Sequence, residues 1–460
     1  MENLGGKYNG AMQQRAGRRV VLFPVPLEGH ISPMLQLANI LYSRGFCITI
    51  IHTCFNSPNY SKHTNFTFHS IPDGLLESEA STADIIAFLA LLNANCATPF
   101  RDCLAKLLSD SSEEPVACMI TDAIWHFTQA VADSFKLPRI VLRTSNVSSF
   151  LAFGSLLLMQ EKGYLPIQES RLEAPWTDHP PLKFKDIPVI NTRNPEVFYR
   201  VLSDMLKETK VSSGIIWNSL EDLEQSELIS FGQDFPIPVF PIGPLHRYFP
   251  ASSSSLLTQD QSCLSWLNTQ ARRSVLYASF GSLAAFDGSQ FAEIAWGLAN
   301  SKQPFLWVVR PGLVRGSEWL EALPTGFLEA INGRGHIVTW APQQEVLAHP
   351  ATGGFWSHNG WNSTLESICE GVPMICLPNC GDQLVNARYV SHVWKIGIHL
   401  ENRLERGEIE KAIRRLLLGT EGREMRDRIM DLKEKVHLSL RHGGSSYQAL
   451  DSLISHISSF

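Results

Sequence analysis

The sequence is short of several features that would each mark a class of protein. In 460 residues no run approaches the 18 or so apolar residues of a membrane-spanning helix. The first apolar run, VVLFPVP at 20–26, is too brief and too proline-rich for a secretion signal. Neither charge dominates: 39 Lys and Arg face 45 Asp and Glu, a net charge of −6. That argues against a nucleic-acid surface or a polybasic membrane patch. The nine cysteines (47, 54, 96, 103, 118, 263, 369, 376 and 380) contain no C-x-x-C pair. Such an odd, unpatterned set reads as reduced thiols in a cytoplasmic protein, neither a disulfide framework nor a metal site. No G-x-G-x-x-G follows a predicted strand, which counts against a nicotinamide dehydrogenase, and no G-x-x-x-x-G-K-[ST] is present for a P-loop enzyme.

What is present is an alternation of apolar strands and helices, in two halves. Strands are predicted at 18–25, 46–53, 66–72, 115–122, 139–145, 213–219 and 238–244. A helix is expected from Pro33 to Gly45, with Ser32 as N-cap. A helix with a broken middle is expected over 82–108, and another over 123–136. The polar N-terminus, residues 1–19, reads as loose. The stretch 146–210, rich in proline and aromatics, reads as irregular pocket lining. Residues 246–261 are serine-rich and without period, the composition of a linker. Beyond them strands recur at 274–280, 304–310, 336–340, 352–358, 372–378 and 396–401. Helices are expected at 289–302, 363–371, 386–394, 405–419, 424–440 and 445–458.

At this length two domains are the natural expectation. The boundaries fall at an N-terminal domain 1–245, a linker 246–262 and a C-terminal domain 263–440. The final helix, 441–460, is expected to pack back on the first domain. Strands alternating with helices imply an α/β fold of two doubly wound parallel sheets, with a ligand cleft between the carboxyl ends of their strands.

Two constellations carry chemistry. His30 lies just past the first predicted strand and Asp122 ends another, so both project from one sheet edge. A carboxylate that orients a histidine makes a general base. The plainer alternative is that each residue caps the helix that follows it.

The second constellation is Trp340–Gln383, WAPQQEVLAHPATGGFWSHNGWNSTLESICEGVPMICLPNCGDQ. It reads as strand, polar loop, helix and strand, an order that sets a helix N-terminus beside the strand end and suits a diphosphate. His358, Gly360, Asn362 and Ser363 offer donors there. Ser363 and Glu366 have the spacing of a capping box with Gly371 closing the helix, although the Glu366 carboxylate could equally hold ribose hydroxyls. Trp340 stands at a strand end where an indole can stack on a planar base or simply join the core. Asp382 and Gln383, and Ser279 and Ser282, follow two further strands of the same sheet.

This stretch is similar to the 44-residue signature of plant family 1 UDP-sugar glycosyltransferases. The resemblance extends through FPVPLEGHISPMLQLA, ITDAIW, SVLYASFGS and FLWVVRPG. The N-terminal half looks most like the branch with cytokinin N-glucosyltransferases and the steviol-glycoside glucosyltransferase. It implies two Rossmann-like domains facing across a cleft (GT-B), an inverting hexosyltransferase, no metal and no cofactor beyond UDP-glucose. Residue by residue it implies His30 as base with Asp122 as its partner. Trp340, Ala341 and Gln343 would hold uracil, and Glu366 the ribose. His358, Gly360, Asn362, Ser363 and Ser282 would hold the diphosphate, and Trp361, Asp382 and Gln383 the sugar, with Gln383 pointing to glucose. Gly29, Trp125, Ser145, Phe150 and Leu202 are the expected acceptor contacts. The acceptor would be a small apolar metabolite such as a flavonoid, terpenoid, phenolic or hormone, and the protein a cytoplasmic monomer. A nucleotide-sugar-binding protein without catalysis is the alternative. Two departures stand out. Glu28 replaces the more usual Gln beside His30, which favours the imidazolium and a more alkaline rate profile. Asn379-Cys380-Gly381 stands where aromatics are common.

Overall fold

The computed structural model describes residues 17–58, 61, 63–76, 84–188, 190, 192–249, 258–317, 320–401 and 404–460. The expected loose terminus up to residue 16, and 250–257 of the expected linker, lie outside the described residues. The chain divides into two compact units. One comprises 1–166, 190–256 and 438–460; the other comprises 167–189 and 257–437. The stretch 167–189, expected with the N-terminal domain, thus groups with the second unit.

The first unit is built on a sheet whose strands among the described residues are β1 (Arg19–Phe23), β2 (Cys47–Thr53), β3 (Thr67–Ile71), β4 (Val116–Asp122), β5 (Arg139–Arg143), β6 (Gly214–Trp217) and β7 (Val239–Pro241). Their order is β3-β2-β1-β4-β5-β6-β7, every pairing parallel. Alternate side chains of a strand face opposite sides. Here both sides are apolar, as a sheet covered on both faces requires. Val20, Leu22, Ile48, Ile50 and Ile120 pack with Met34 and Leu37 of the helix Glu28–Ser43, and with Leu450, Leu453 and Ile457 of the C-terminal helix Ser445–Ser458. Val21, Phe23, Ile51 and Met119 pack with Phe88, Leu92, Phe100 and Leu104 of the helix Ile85–Ser109.

The second unit repeats the plan with β8 (Val275–Ser279), β9 (Phe305–Val308), β10 (Gly335–Val338), β11 (Thr352–Ser357), β12 (Met374–Cys376) and β13 (Gly397–His399). Their order is β10-β9-β8-β11-β12-β13, again all parallel. The segment 167–189 is fixed to this unit by Asp186, which accepts from Arg388 Nε at 2.8 Å and Nη2 at 3.0 Å, both side chains being buried. In both sheets the strand order reverses beside the first strand, between β1 and β4 and between β8 and β11. That is where a crevice for ligands opens at the carboxyl ends. Among the described residues no helix is long and apolar enough to cross a membrane.

Several expected elements differ. The first helix starts at Glu28, not after Ser32, so Ser32 and Pro33 lie within it. The helix expected to break in the middle is continuous from Ile85 to Ser109 with Pro99 inside, its apolar side chains buried along its length. The helix expected over 123–136 is confined to Thr128–Phe135. The stretch read as irregular contains two helices, Val147–Glu161 and Pro195–Lys210, with N-caps Asn146 and Asn194. A helix at Glu221–Asp234 went unmarked in the sequence. The helix expected over 386–394 begins earlier, at Asp382, and passes into a π turn at Tyr389–Val393.

Candidate active site

In the first unit, β1 delivers the chain through the turn Pro24–Leu27 into the helix Glu28–Ser43, placing His30 in its first turn. β4 ends on Asp122. The His30 Nδ1 lies 2.6 Å from Asp122 Oδ2 and 3.2 Å from Thr144 Oγ1. Asp122 Oδ1 accepts from the Ile124 N–H at 3.0 Å. Asp122 is 1% exposed and the His30 side chain 22%. Burial alone would push the Asp122 carboxyl up. The His30 charge and hydrogen bond, the Ile124 N–H and the Arg143 charge outweigh it and hold the group below its usual range. A carboxylate on Nδ1 fixes the proton there and leaves Nε2 as the basic nitrogen. Thr144 was not singled out in the sequence. Its signal was its place just past β5, the next strand along from β4. Glu28 is the first helical residue, where the positive helix end favours it, and its carboxylate takes the Ser32 hydroxyl at 3.4 Å.

The residues expected to line an acceptor pocket divide. Gly29 is exposed in the first turn of that helix, and Ser145 is half-buried, its hydroxyl accepting from Arg143 Nε at 2.9 Å. Trp125 and Phe150 are instead fully buried core residues. Trp125 stacks on Phe23 with ring centroids 4.6 Å apart, and Phe150 packs edge-on to Trp217, Phe231 and Phe235. Leu202 lies on the buried face of Pro195–Lys210.

In the second unit, His358 follows β11 and is the pivot of the site. A Cβ built on Gly281 would stand 2.7 Å from its ring, and one on Gly360 would stand 2.5 Å from Nε2. The imidazole is therefore seated between two glycines, one past β8 and one at the N-cap of the helix Trp361–Glu370. Burial, aided by the Arg310 charge, pushes the ring down to about 4, so it is neutral at pH 7. Its buried Nδ1 has no hydrogen-bond partner among the described residues. Asn359 turns the chain in a left-handed conformation (φ 61°), its N–H donating to Ser357 Oγ at 3.0 Å. The helix begins at Trp361 with Gly360 as N-cap, so Ser363 is not the cap and the capping box does not form. The Trp361 indole packs inward beside Trp394, 6.3 Å between centroids, and is 2% exposed. Its neighbours Asn362 and Ser363 complete the first turn, where helix N–H groups lack intrahelical partners.

The Ser363 and Glu366 side chains meet Gln343 instead. Gln343 Nε2 donates to Ser363 Oγ at 2.8 Å and to Glu366 Oε2 at 2.7 Å, while its Oε1 accepts from the Tyr277 hydroxyl at 3.2 Å. Gln344 Nε2 donates to Glu366 Oε1 at 2.9 Å. Tyr277 and Gln344 were invisible as participants, since one is a core strand residue and the other has no pattern of its own. Trp340 stands two residues beyond the end of β10 instead of ending the strand; it is half-buried, with Ala341 buried beside it. Ser282 lies in the turn after β8.

Past β12, Asp382 and Gln383 open a helix whose N-cap is Gly381 (φ 61°, ψ −136°), a conformation open to glycine. Asn386 Nδ2 donates to Asp382 Oδ2 at 3.0 Å and to the Asn359 carbonyl at 2.9 Å, tying this helix to the His358 turn. Gln383 Oε1 accepts from the Asn379 N–H at 2.9 Å and the Cys380 N–H at 3.4 Å. The unusual Asn379-Cys380-Gly381 stretch is thus held by Gln383 itself. None of the nine cysteines is in a disulfide. Among the described residues no three of His, Cys, Asp and Glu gather as metal ligands would.

The model of the family of UDP-glucoronosyl and UDP-glucosyl transferases matches residues 53–438. UDP-glycosyltransferase 76B1 of Arabidopsis thaliana is 56% identical over 450 residues, covering 98% of this chain and 100% of the relative. UDP-glycosyltransferase 76G1 of Stevia rebaudiana is 51% identical, covering 97% and 98%. Among solved structures, UGT2 of Phytolacca americana, complexed with UDP-2fluoro-glucose and pterostilbene, aligns with a TM-score of 0.80 at 28% identity, over 96% of this chain and 100% of that one. A Polygonum tinctorium UDP-glucosyltransferase capable of glucosylating indoxyl aligns with a TM-score of 0.81 at 30% identity, over 96% and 99%. With two doubly wound sheets of the GT-B class, the chain belongs to the UDP-glucoronosyl and UDP-glucosyl transferase family and is a UDP-glycosyltransferase, moving sugar from a UDP-sugar to a small acceptor.

Proposed function

We propose that the enzyme transfers glucose from UDP-glucose, with inversion, to a hydroxyl or amine of a small apolar plant metabolite, giving a β-glucoside. The observation that carries the catalytic half is the His30–Asp122 hydrogen bond of 2.6 Å at a strand-order reversal. His30 Nε2 takes the acceptor proton as the oxygen or nitrogen attacks C1, and Asp122 stabilises the imidazolium that forms. Gly29, Ser145 and Leu202 are proposed to contact the acceptor. The solved relatives named with pterostilbene and indoxyl favour an aromatic hydroxyl carrier.

The donor half rests on the second unit. Trp340 stacks on uracil, with Ala341 and Gln343 beside it, and Glu366 holds the ribose, exchanging its glutamine donors for hydroxyls. His358, Gly360, Asn362, Ser363 and Ser282 hold the diphosphate. Trp361 through its backbone, and Asp382 and Gln383 through their side chains, hold the sugar. The N-terminus of Trp361–Glu370 faces the departing negative charge, a stabilisation that asks for no metal.

The test is UDP release over a panel of phenolic, terpenoid and hormone acceptors, with UDP-glucose, UDP-galactose and UDP-glucuronate compared. Product anomers are read by proton NMR. Glucose transfer with a β product supports the proposal. An α product overturns inversion, preference for another donor overturns glucose, and UDP-glucose binding without release on any acceptor favours a binding protein.

A further inference from the structure

The turn after β8 has an unusual support. Arg310, two residues beyond β9, sends Nε to the Gly281 carbonyl at 2.9 Å, Nη2 to the Ala284 carbonyl, and Nη1 to the Pro311 carbonyl at 3.0 Å. The guanidinium fork therefore bridges the two ends of a four-residue turn, Gly281–Ala284, that carries Ser282 at its bend. A planar fork can hold two carbonyls at a fixed separation, which a lysine cannot do. On its far side the same turn is held by His358, since Gly281 has φ 71° and no room for a Cβ against the imidazole.

The charge balance is equally unusual. Arg310 is half-buried, and among the described residues its hydrogen bonds go to carbonyls and no carboxylate pairs with it. Removing a cation from water without a counter-ion is unfavourable. It is offset when an anion is to be received, because a preset positive charge then needs no rearrangement on binding. The groups around it are of the kind that receive one: the Ser282 turn, the neutral His358 and the start of a helix.

We propose that Arg310 is a positioning residue for the donor diphosphate, clamping the Gly281–Ala284 turn and supplying the uncompensated positive charge beneath it. This rests on the donor half of the proposed function. It makes no direct contact with the ligand. It acts through Ser282, through the turn's backbone and through its field.

The experiment compares binding of UDP and of uridine, by calorimetry, to the wild type, Arg310→Lys and Arg310→Gln. Uridine lacks the diphosphate and reports the base and ribose contacts and the integrity of the fold. Expected is an unchanged uridine affinity in both variants. UDP should weaken about tenfold in Arg310→Lys, which keeps the charge but loses the fork, and about a hundredfold in Arg310→Gln, which loses both. If only one variant folds, its UDP-to-uridine ratio decides alone. An unchanged ratio, whether both affinities hold or both fall together, overturns the inference. A wild type that binds UDP no better than uridine would instead overturn the donor site itself.

Discussion

Asp122 and His30 are joined across the point where the first sheet reverses its strand order, with 2.6 Å between Oδ2 and Nδ1. The carboxylate is buried and held low, and the imidazole is partly open. In the proposed role of general base, His30 would contribute about 10²–10⁴ in rate. His30→Ala is expected to lower kcat on hydroxyl acceptors by that factor while leaving UDP-glucose affinity within about twofold. Asp122→Asn should fall in the same range by misorienting the ring. Initial rates and donor titration check both, and near-wild-type turnover in His30→Ala would sink the mechanism.

His358 ties stability to pH. Its folded value of about 4 lies below the ordinary 6.5, so between these values the unfolded chain binds a proton that the folded chain refuses. The contribution is complete above pH 6.5 and is lost as pH falls towards 4. His358→Gln cannot take up that proton and should lose less stability on acidification. The expected difference in acid sensitivity between pH 7 and 4.5 is on the order of 1–2 kcal/mol, screening at a partly exposed ring included. Urea unfolding of both proteins at the two pH values measures it. Parallel losses would show that the ring is already charged or freely hydrated.

The two glycines against that ring are expected to act as one device. Gly281→Ala combines a left-handed backbone with a contact of 2.7 Å, a strain of about 1–3 kcal/mol. Gly360→Ala has an ordinary φ of −56° and only the contact of 2.5 Å. Each should weaken UDP binding at least tenfold. The double variant should lose less than the product, since both substitutions displace the same imidazole. Unchanged UDP affinity in Gly360→Ala would refute the arrangement.

Asp186 and Arg388 give a prediction in stability. Removing one partner of a buried ion pair leaves a charge behind, at about 3–5 kcal/mol. Arg388 Nη1 also meets Glu401 at 2.9 Å, so Asp186→Ala should fall at the lower end. Asp186→Leu with Arg388→Met should recover most of the loss, because neither member of the pair then stays buried and charged, while Glu401 keeps Lys185 and His399. Denaturant midpoints decide, and additive losses in the double variant would contradict this account.

Much of this was legible in the sequence because buried parallel strands are continuous apolar runs, and several of them end on a polar residue or lead within a few residues to one. That pattern put His30, Asp122, Ser282, His358 and Asp382 at sheet edges before any coordinates. The failures have specific causes. Ser363 and Glu366 have capping-box spacing, but Gly360 starts the helix and Gln343 and Gln344 reach the pair from another element. Ser32 and Pro33 looked like a helix start because proline is favoured there, while the real start, Glu28-Gly29-His30, has no side-chain cap to announce it. Trp125 and Phe150 looked like pocket walls because aromatics in irregular stretches invite that reading, yet their rings are buried against other aromatics. Arg310 could not be found at all, for a bond from a side chain to a distant carbonyl leaves no trace in spacing.

The Gln383 amide has a consequence for polarity. Two backbone N–H groups, of Asn379 and Cys380, converge on its oxygen, so the amide cannot be turned the other way without setting donor against donor. Among the described residues its Nε2 meets no acceptor, and under the proposed function it is this end that would meet the sugar. On the proposed reading of Gln383 as a sugar contact, a ligand group that meets this amide meets its hydrogens and not its lone pairs. It must come as an acceptor, and a sugar hydroxyl already donating elsewhere is suited to do so.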